Sequence, residues 1–337
     1  MLEGALVALI VVIVLAVLFD FANGFNDAAN AIATVVSTRV LTPTAAVIMA
    51  ATMNFIGALT GTAVAKVVGA GIVAPGSITL LTVAAGVGAA ALWVFLASKW
   101  GIPVSGSHSL IAGMVGAAVA TGGTGTLLWD GINKTLIGLA FAPLIGFGGG
   151  FVLMVLIYWG FRRVALGQVN GIFSKLQIVS AAFMAFSHGS NDAQKTMGVI
   201  SLAVAVYAGW EQQGIPFHIP LWVVILSATV MAAGTYAGGW NVVHTLGVKM
   251  VALRPVNGFV AETAAATLIE AGTRLGFPLS TTHVITSTIV GQGATRRLSA
   301  VRWAVAKGIV VAWIVTFPFC VVAGALFVYA LKVVFPS

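Results

Sequence analysis

Residues 5–38 read ALVALIVVIVLAVLFDFANGFNDAANAIATVVST. From Ala5 to Phe19 no side chain is polar, and charge enters only at Asp20 and Asp27. About 20 apolar residues cross a bilayer as a helix. Lipid offers no partner to backbone N–H and C=O groups, so a spanning run must satisfy them internally and is expected to be helical. This stretch is longer than one span needs, which leaves room for a break within it.

Working outward, nine more apolar stretches follow: 44–65, 77–98, 102–121, 136–160, 177–206, 221–246, 256–273, 277–295 and 303–333. The chain of 337 residues is 60% hydrophobic and only 7% charged, where soluble domains carry roughly 25% charged residues. The fold class expected is an all-α integral membrane protein of about 10–12 transmembrane helices, some broken or re-entrant. A secretory signal peptide explains at most residues 5–19 and none of the nine later stretches. The formal net charge of +8 does not point to nucleic acid, because the basic residues are scattered between spans and not clustered on one surface. The single Cys320 excludes an internal disulfide.

Lys and Arg collect in cytoplasmic loops. With the N-terminus outside and sides alternating, the inside holds Arg39, Lys99, Arg162, Arg163, Lys175, Lys249, Arg254, Arg296, Arg297, Arg302 and Lys307, and the outside holds Lys66, Lys134, Arg274 and Lys332. Eleven against four favours this orientation, in a plasma (inner) membrane. The most polar interruption, 161–176, is expected to be a cytoplasmic loop joining two halves, 1–160 and 177–337.

Two motifs occur twice, in the same order. GFNDAAN (24–30) is matched by GSNDAQK (189–195), and GIPVSGSH (101–108) by GFPLSTTH (276–283). Asn26 to His108 is 82 residues, and Asn191 to His283 is 92. Each half has five apolar stretches, and an odd number turns the second half over relative to the first, so two inverted-topology repeats are expected. Such repeats are a hallmark of secondary transporters, whose sites lie where the repeats meet.

The motifs carry opposite chemistries. Asp20, Asp27, Asp192 and Glu262 lie within apolar stretches, where a carboxylate is costly unless it is paired, protonated or hydrated. Gly24 and Gly189 precede the Asn-Asp pairs and are expected to let the helix open, so that backbone carbonyls join the Asn and Asp oxygens around a small hard cation such as Na⁺. In the second motif Pro103 and Pro278 suit helix starts, and the Ser and Thr residues suit N-caps. Helix N-termini present N–H donors and partial positive charge to an anion. Carboxylate acceptors beside those donors favour phosphate, which carries protons, over sulfate. Lys195 stands where the first repeat has Asn30, and His188 where it has Asn23.

On these residues the chain resembles the inorganic phosphate transporter family, PiT, over essentially its whole length. That family carries a duplicated G-x-N-D-x-x-N signature and duplicated P-x-S-x-[ST]-H segments. The resemblance implies phosphate symport driven by Na⁺ or H⁺ through alternating access, both termini outside, about twelve helices counting half-helices, and a homodimer. Of two family glutamates, one corresponds to Glu262, and the other position is Asn54. The expected coupling-ion (Na⁺) ligands are Asn23, Asn26, Asp27, Asn191, Asp192 and Glu262. The expected phosphate contacts are Ser105, Gly106, Ser107, His108, Ser280, Thr281 and Thr282, with Asn26 and Asn191. No cofactor is expected, with Na⁺ as coupling ion and H⁺ the alternative. An H⁺-coupled phosphate, metal-phosphate or sulfate permease and a passive anion channel are the competing readings. An enzyme is not expected, because the chain lacks a cofactor motif, a metal-spaced His/Cys set and a nucleophile elbow.

Overall fold

The computed structural model describes residues 2–334, and among them lie helices and turns with one isolated β-bridge, Val73 to Leu127. Residue 1 and residues 335–337, the outer ends of the two expected halves, fall outside the described residues. Twelve α-helices run in the order α1 (Leu2–Ser37), α2 (Pro43–Ala58), α3 (Ala63–Ala70), α4 (Leu80–Trp100), α5 (Gly106–Gly122), α6 (Trp129–Gly160), α7 (Leu166–Ala208), α8 (Leu221–Ala237), α9 (Trp240–His244), α10 (Pro255–Arg274), α11 (Thr281–Ala294) and α12 (Trp303–Val334). A π-helical turn, Thr245–Lys249, extends α9.

Five helices, α1, α4, α6, α7 and α12, are each long and apolar enough to cross a membrane. Two bent pairs qualify together: α2 with α3, bent by 72°, and α8 with the α9 segment, bent by 62°. The helices α5 and α11 have only 17 and 14 residues. At about 1.5 Å rise per residue, neither fills a hydrocarbon layer about 30 Å thick.

The two copies of the second motif fold alike. Helices α4 and α10 each give way to a glycine in the left-handed region, Gly101 and Gly276, both at φ 70°, where a Cβ is disfavoured. The chain then runs extended to Ser105 and Ser280. Their Oγ atoms accept from the backbone N–H of His108 (3.1 Å) and His283 (3.2 Å), capping α5 and α11. The following long helix crosses over in each case, so that α6 packs on α11 and α12 packs on α5.

The expected connecting loop is much shorter than 161–176. Only residues 161–165 separate α6 from α7. Residues 166–176 are helical because Val169 and Phe173 are buried against Met154, Val256 and Val260. Apolar burial on one helix face outweighs the polarity of the other.

Two apolar clusters make the core. One contains Leu9 to Ala22 of α1 and Ala193 to Ala203 of α7, and the other Ala29 to Val35 of α1 and Ala181 to Ala185 of α7. So α1 passes from the first cluster to the second while α7 passes from the second to the first. Both Asn-Asp motifs fall at the junction between the clusters. Away from it, Arg162, Arg254, Arg296, Arg297 and Arg302, all assigned to one side by the charge count, line a single cavity of about 730 Å³.

Candidate functional site

Residues 23, 26, 27 and 30 are spaced i, i+3, i+4, i+7 on α1, and residues 188, 191, 192 and 195 repeat that spacing on α7. That spacing puts each set on one helical face. The helices stay closed through both motifs, which corrects the expectation that Gly24 and Gly189 open them. These glycines serve contact instead. A Cβ on Gly24 would lie 2.6 Å from the carbonyl oxygen of Met231 on α8, and one on Gly189 would collide with that of Asn54 on α2. Each motif thus lies tight against a helix of the opposite half.

The two polar faces meet. Asn23, Asn26, Asp27, Asn30, His188, Asn191, Asp192, Lys195, Thr281 and Thr282 are all buried. Thr281 Oγ1 lies 3.2 Å from both Asp27 and Asp192, placed to donate its one proton to either. Thr282 Oγ1 donates to both oxygens of Asp27 at 3.1 Å and lies 3.2 Å from the carbonyl of Val104. Asn23 reaches from α1 to Asp192 at 3.1 Å. Asn26 donates to Asp27 (2.7 Å) and to the carbonyl of Val104 (3.3 Å). Asn30 donates to Thr282 at 3.1 Å. Asn191 donates to Thr273 at 2.7 Å and to the carbonyl of Phe277 at 3.4 Å. The helix starts are tied to each other as well: Ser107 donates to the carbonyl of Leu279 (3.0 Å), and Thr282 Oγ1 is within reach of that of Val104.

Lys195 carries the positive charge of the layer. Its Nζ lies 2.6 Å from Asp192 Oδ1 and 3.2 Å from the carbonyl of Leu279. His188 sits between the carboxylates, with Nδ1 3.0 Å from Asn54 Oδ1 and Nε2 3.8 Å from Asp27 and 3.5 Å from Asp192. With the ring proton on Nδ1, Nε2 turns a lone pair toward two carboxylates. That arrangement becomes favourable when a cation, or a second proton on the ring, lies among them. One ligand atom each from Asp27, His188 and Asp192 falls within 4.8 Å of the others. Among the described residues, the Oδ1 atoms of Asn23, Asn30 and Asn191 are buried acceptors without a donor. This oxygen-rich set fits a small cation.

Other expected residues stand apart from that cluster. Glu262 on α10 accepts from Gln177 Nε2 (3.2 Å) and from the hydroxyls of Thr34 and Ser180. Those four residues form a separate hydroxyl-and-amide nest. Asn54 on α2, which binds Thr235 (2.7 Å) as well as His188, lies on a helix that is not the counterpart of α10. The rings of His108 and His283 have centroids 4.5 Å apart with planes tilted by 55°, and His283 lies 3.8 Å from Trp313, tilted by 31°. Both rings pack in this aromatic layer, and their backbone N–H groups donate to Ser105 and Ser280. The carbonyls of Val104 and Leu279, Asn30, Thr34, Gln177 and Ser180 were not expected at functional positions. For Asn30 the i+4 spacing from Asn26 was the available signal.

The first N–H groups of α5 and α11 have no intrahelical acceptor, and they start beside a buried carboxylate pair. Residues 23–324 match the model of the phosphate transporter family. The chain is 45% identical over 329 residues to a "Probable low-affinity inorganic phosphate transporter" of Rhizobium meliloti (strain 1021), covering 97% of each chain. It is 41% identical over 335 residues to a protein of the same description from Bacillus subtilis (strain 168), covering 98% of this chain and 99% of that one. A solved structure described as "The sodium-dependent phosphate transporter" superposes with a TM-score of 0.88 at 24% identity, covering 98% of this chain and 100% of that chain.

Proposed function

Because the chain belongs to the phosphate transporter family, a multi-pass membrane family and not a class of enzymes, we propose that it is a Na⁺-coupled symporter that carries inorganic phosphate by alternating access. The observation that carries the coupling is the charge balance of the buried layer. Asp27 and Asp192 bring two negative charges and Lys195, 2.6 Å from Asp192, brings one positive, while Asp20, fully buried with no cation beside it among the described residues, is counted as protonated and neutral. Asp27 is left with neutral partners, and one monovalent cation beside it makes the layer neutral. Without that cation, a phosphate anion entering a low-dielectric site meets net repulsion.

Thr281 and Thr282 supply the link. Their hydroxyls donate to Asp27. A hydroxyl oxygen can coordinate a cation while its proton turns to an anion. Na⁺ at Asp27 therefore releases two donors for phosphate at the start of α11, where helix N–H groups add to the berth. Each ligand then raises the affinity for the other, as linkage requires. The same reading makes the halves inverted repeats that alternate around this junction, in a homodimeric plasma-membrane protein with both termini outside. The opposite passage of α1 and α7 through the two apolar clusters supports the inversion.

A proton is the second reading, favoured by His188 at 3.8 Å from Asp27, since a second proton on this ring also neutralises the layer. Radiolabelled phosphate uptake into proteoliposomes, with Na⁺ and pH gradients imposed separately, decides between them. Na⁺-stimulated, saturable uptake that tenfold excess sulfate inhibits poorly is the expected result. Uptake that follows pH and ignores Na⁺ assigns the coupling to H⁺, and conduction with neither gradient and no counterflow makes the protein a channel.

A further inference from the structure

The two halves of the polar layer are built on one plan, and they differ most in charge at one position. In the first half a carboxylate, Asp27, and the carbonyl of Val104 face a common set of neutral donors: Asn26 lies 2.7 and 3.3 Å from them, and Thr282 3.1 and 3.2 Å. In the second half the matching pair is Asp192 and the carbonyl of Leu279. Here Lys195 Nζ takes both, at 2.6 and 3.2 Å. Position 195 is the counterpart of Asn30, four residues beyond each signature asparagine. A carboxylate and a carbonyl that precedes a capped helix are the oxygen ligands a small cation would take.

We propose that Lys195 is a tethered cation: its ammonium permanently fills the second of two equivalent cation berths, so that the carrier moves one exchangeable cation fewer per phosphate than its duplicated architecture provides for.

The physical reasons are geometry and charge. A lysine ammonium is a compact point charge with three donors, and here it is 1% exposed. It neutralises Asp192 in every state of the cycle, whereas Asp27 depends on an ion from solution. Over a complete cycle a tethered charge returns with the protein and contributes nothing to net transport. A bound Na⁺ is delivered and adds one charge. Duplicated berths therefore do not imply duplicated coupling. The ammonium also lies among donors that start α11, which makes direct phosphate binding by Lys195 the competing role. The two roles differ in what its removal does to stoichiometry.

This inference rests on the reading of Asp27 as a ligand of the coupling cation, and the test separates the two. Lys195→Asn installs the residue of the first half. Initial fluxes of ²²Na⁺ and ³²P-phosphate are measured in the same proteoliposomes, and the ratio for Lys195→Asn is expected to exceed that of the wild type by one Na⁺ per phosphate. An unchanged ratio with weakened phosphate affinity assigns Lys195 to the anion and overturns the proposal. A readout that needs no transport accompanies it. Thermal unfolding of the purified proteins is compared in NaCl and in choline chloride. Stabilisation by Na⁺ is expected in the wild type, is lost in Asp27→Asn, and rises with a steeper Na⁺ dependence in Lys195→Asn. A wild type that responds to Na⁺ beside a Lys195→Asn variant that responds no more steeply overturns the tethered cation alone. A response gained only in Lys195→Asn overturns Na⁺ coupling in the wild type and upholds the filled berth. No response in either protein overturns both.

Discussion

Thr282 Oγ1 stands 3.1 Å from both carboxylate oxygens of Asp27, across 255 residues of sequence. One hydroxyl thus joins the first Asn-Asp motif to the second helix start. Thr282→Val keeps the shape and removes this donor. Hydrogen bonds to charged groups contribute about 1.5–3 kcal/mol. Phosphate affinity and Na⁺ affinity should therefore fall together, each by roughly 10-fold or more. Phosphate binding titrated at several Na⁺ concentrations measures both, and a loss confined to one ligand would break the proposed link.

Asp27→Asn and Asp192→Asn should fail differently. Asp27 has neutral partners, so Asp27→Asn should fold and lose Na⁺-stimulated uptake. Asp192→Asn strands the buried ammonium of Lys195, 2.6 Å away. Breaking a buried pair on one side costs about 3–5 kcal/mol. Its first symptom should be a lowered unfolding temperature in detergent. Equal stability of the two variants would contradict this division.

Asn54 supports the site from behind. It accepts from His188 at 3.0 Å and donates to Thr235 at 2.7 Å, fully buried. Asn54→Leu leaves both partners without it, at about 1–3 kcal/mol for each unsatisfied group. Thermal unfolding should register the loss. Fluorescence-detected gel filtration should still give a folded peak, since no charge is stranded.

Sidedness can be read with two cysteines. Gly167 and Gly125 have open space where a Cβ would go and lack positive φ, and Cys320 is buried. Gly167→Cys and Gly125→Cys should label with an impermeant maleimide from opposite sides of the membrane, the first from inside. Labelling from one side would rule out the inverted arrangement.

The membrane class and the order of the spans were legible in the sequence, because apolar run length is a local property that lipid enforces directly. Ten apolar stretches became ten helices or bent pairs, and both G-x-P-x-S segments became a glycine turn and a serine-capped helix start. The recurrence of the motifs also marked Asn26, Asp27, Asn191 and Asp192 as one group, since a buried carboxylate needs partners whatever the fold.

What those residues touch was decided by tertiary structure. Gly24 and Gly189 read as hinges, yet a glycine opens a helix or admits a neighbour according to what packs on it, and α8 and α2 pack there. Residues 166–176 read as a loop until Val169 and Phe173 gained partners on other helices. Glu262 read as part of the cation site, and the fold supplies its hydrogen-bond partners Thr34, Gln177 and Ser180 from two other helices. The pairing of Lys195 with Asp192 follows a local i, i+3 spacing, whereas its contact with Leu279 depends on α11 starting beside α7. Sequence alone determined which groups are too polar to bury unpaired. Only the fold, by bringing helix faces together across 250 residues, decided which partner each of them found.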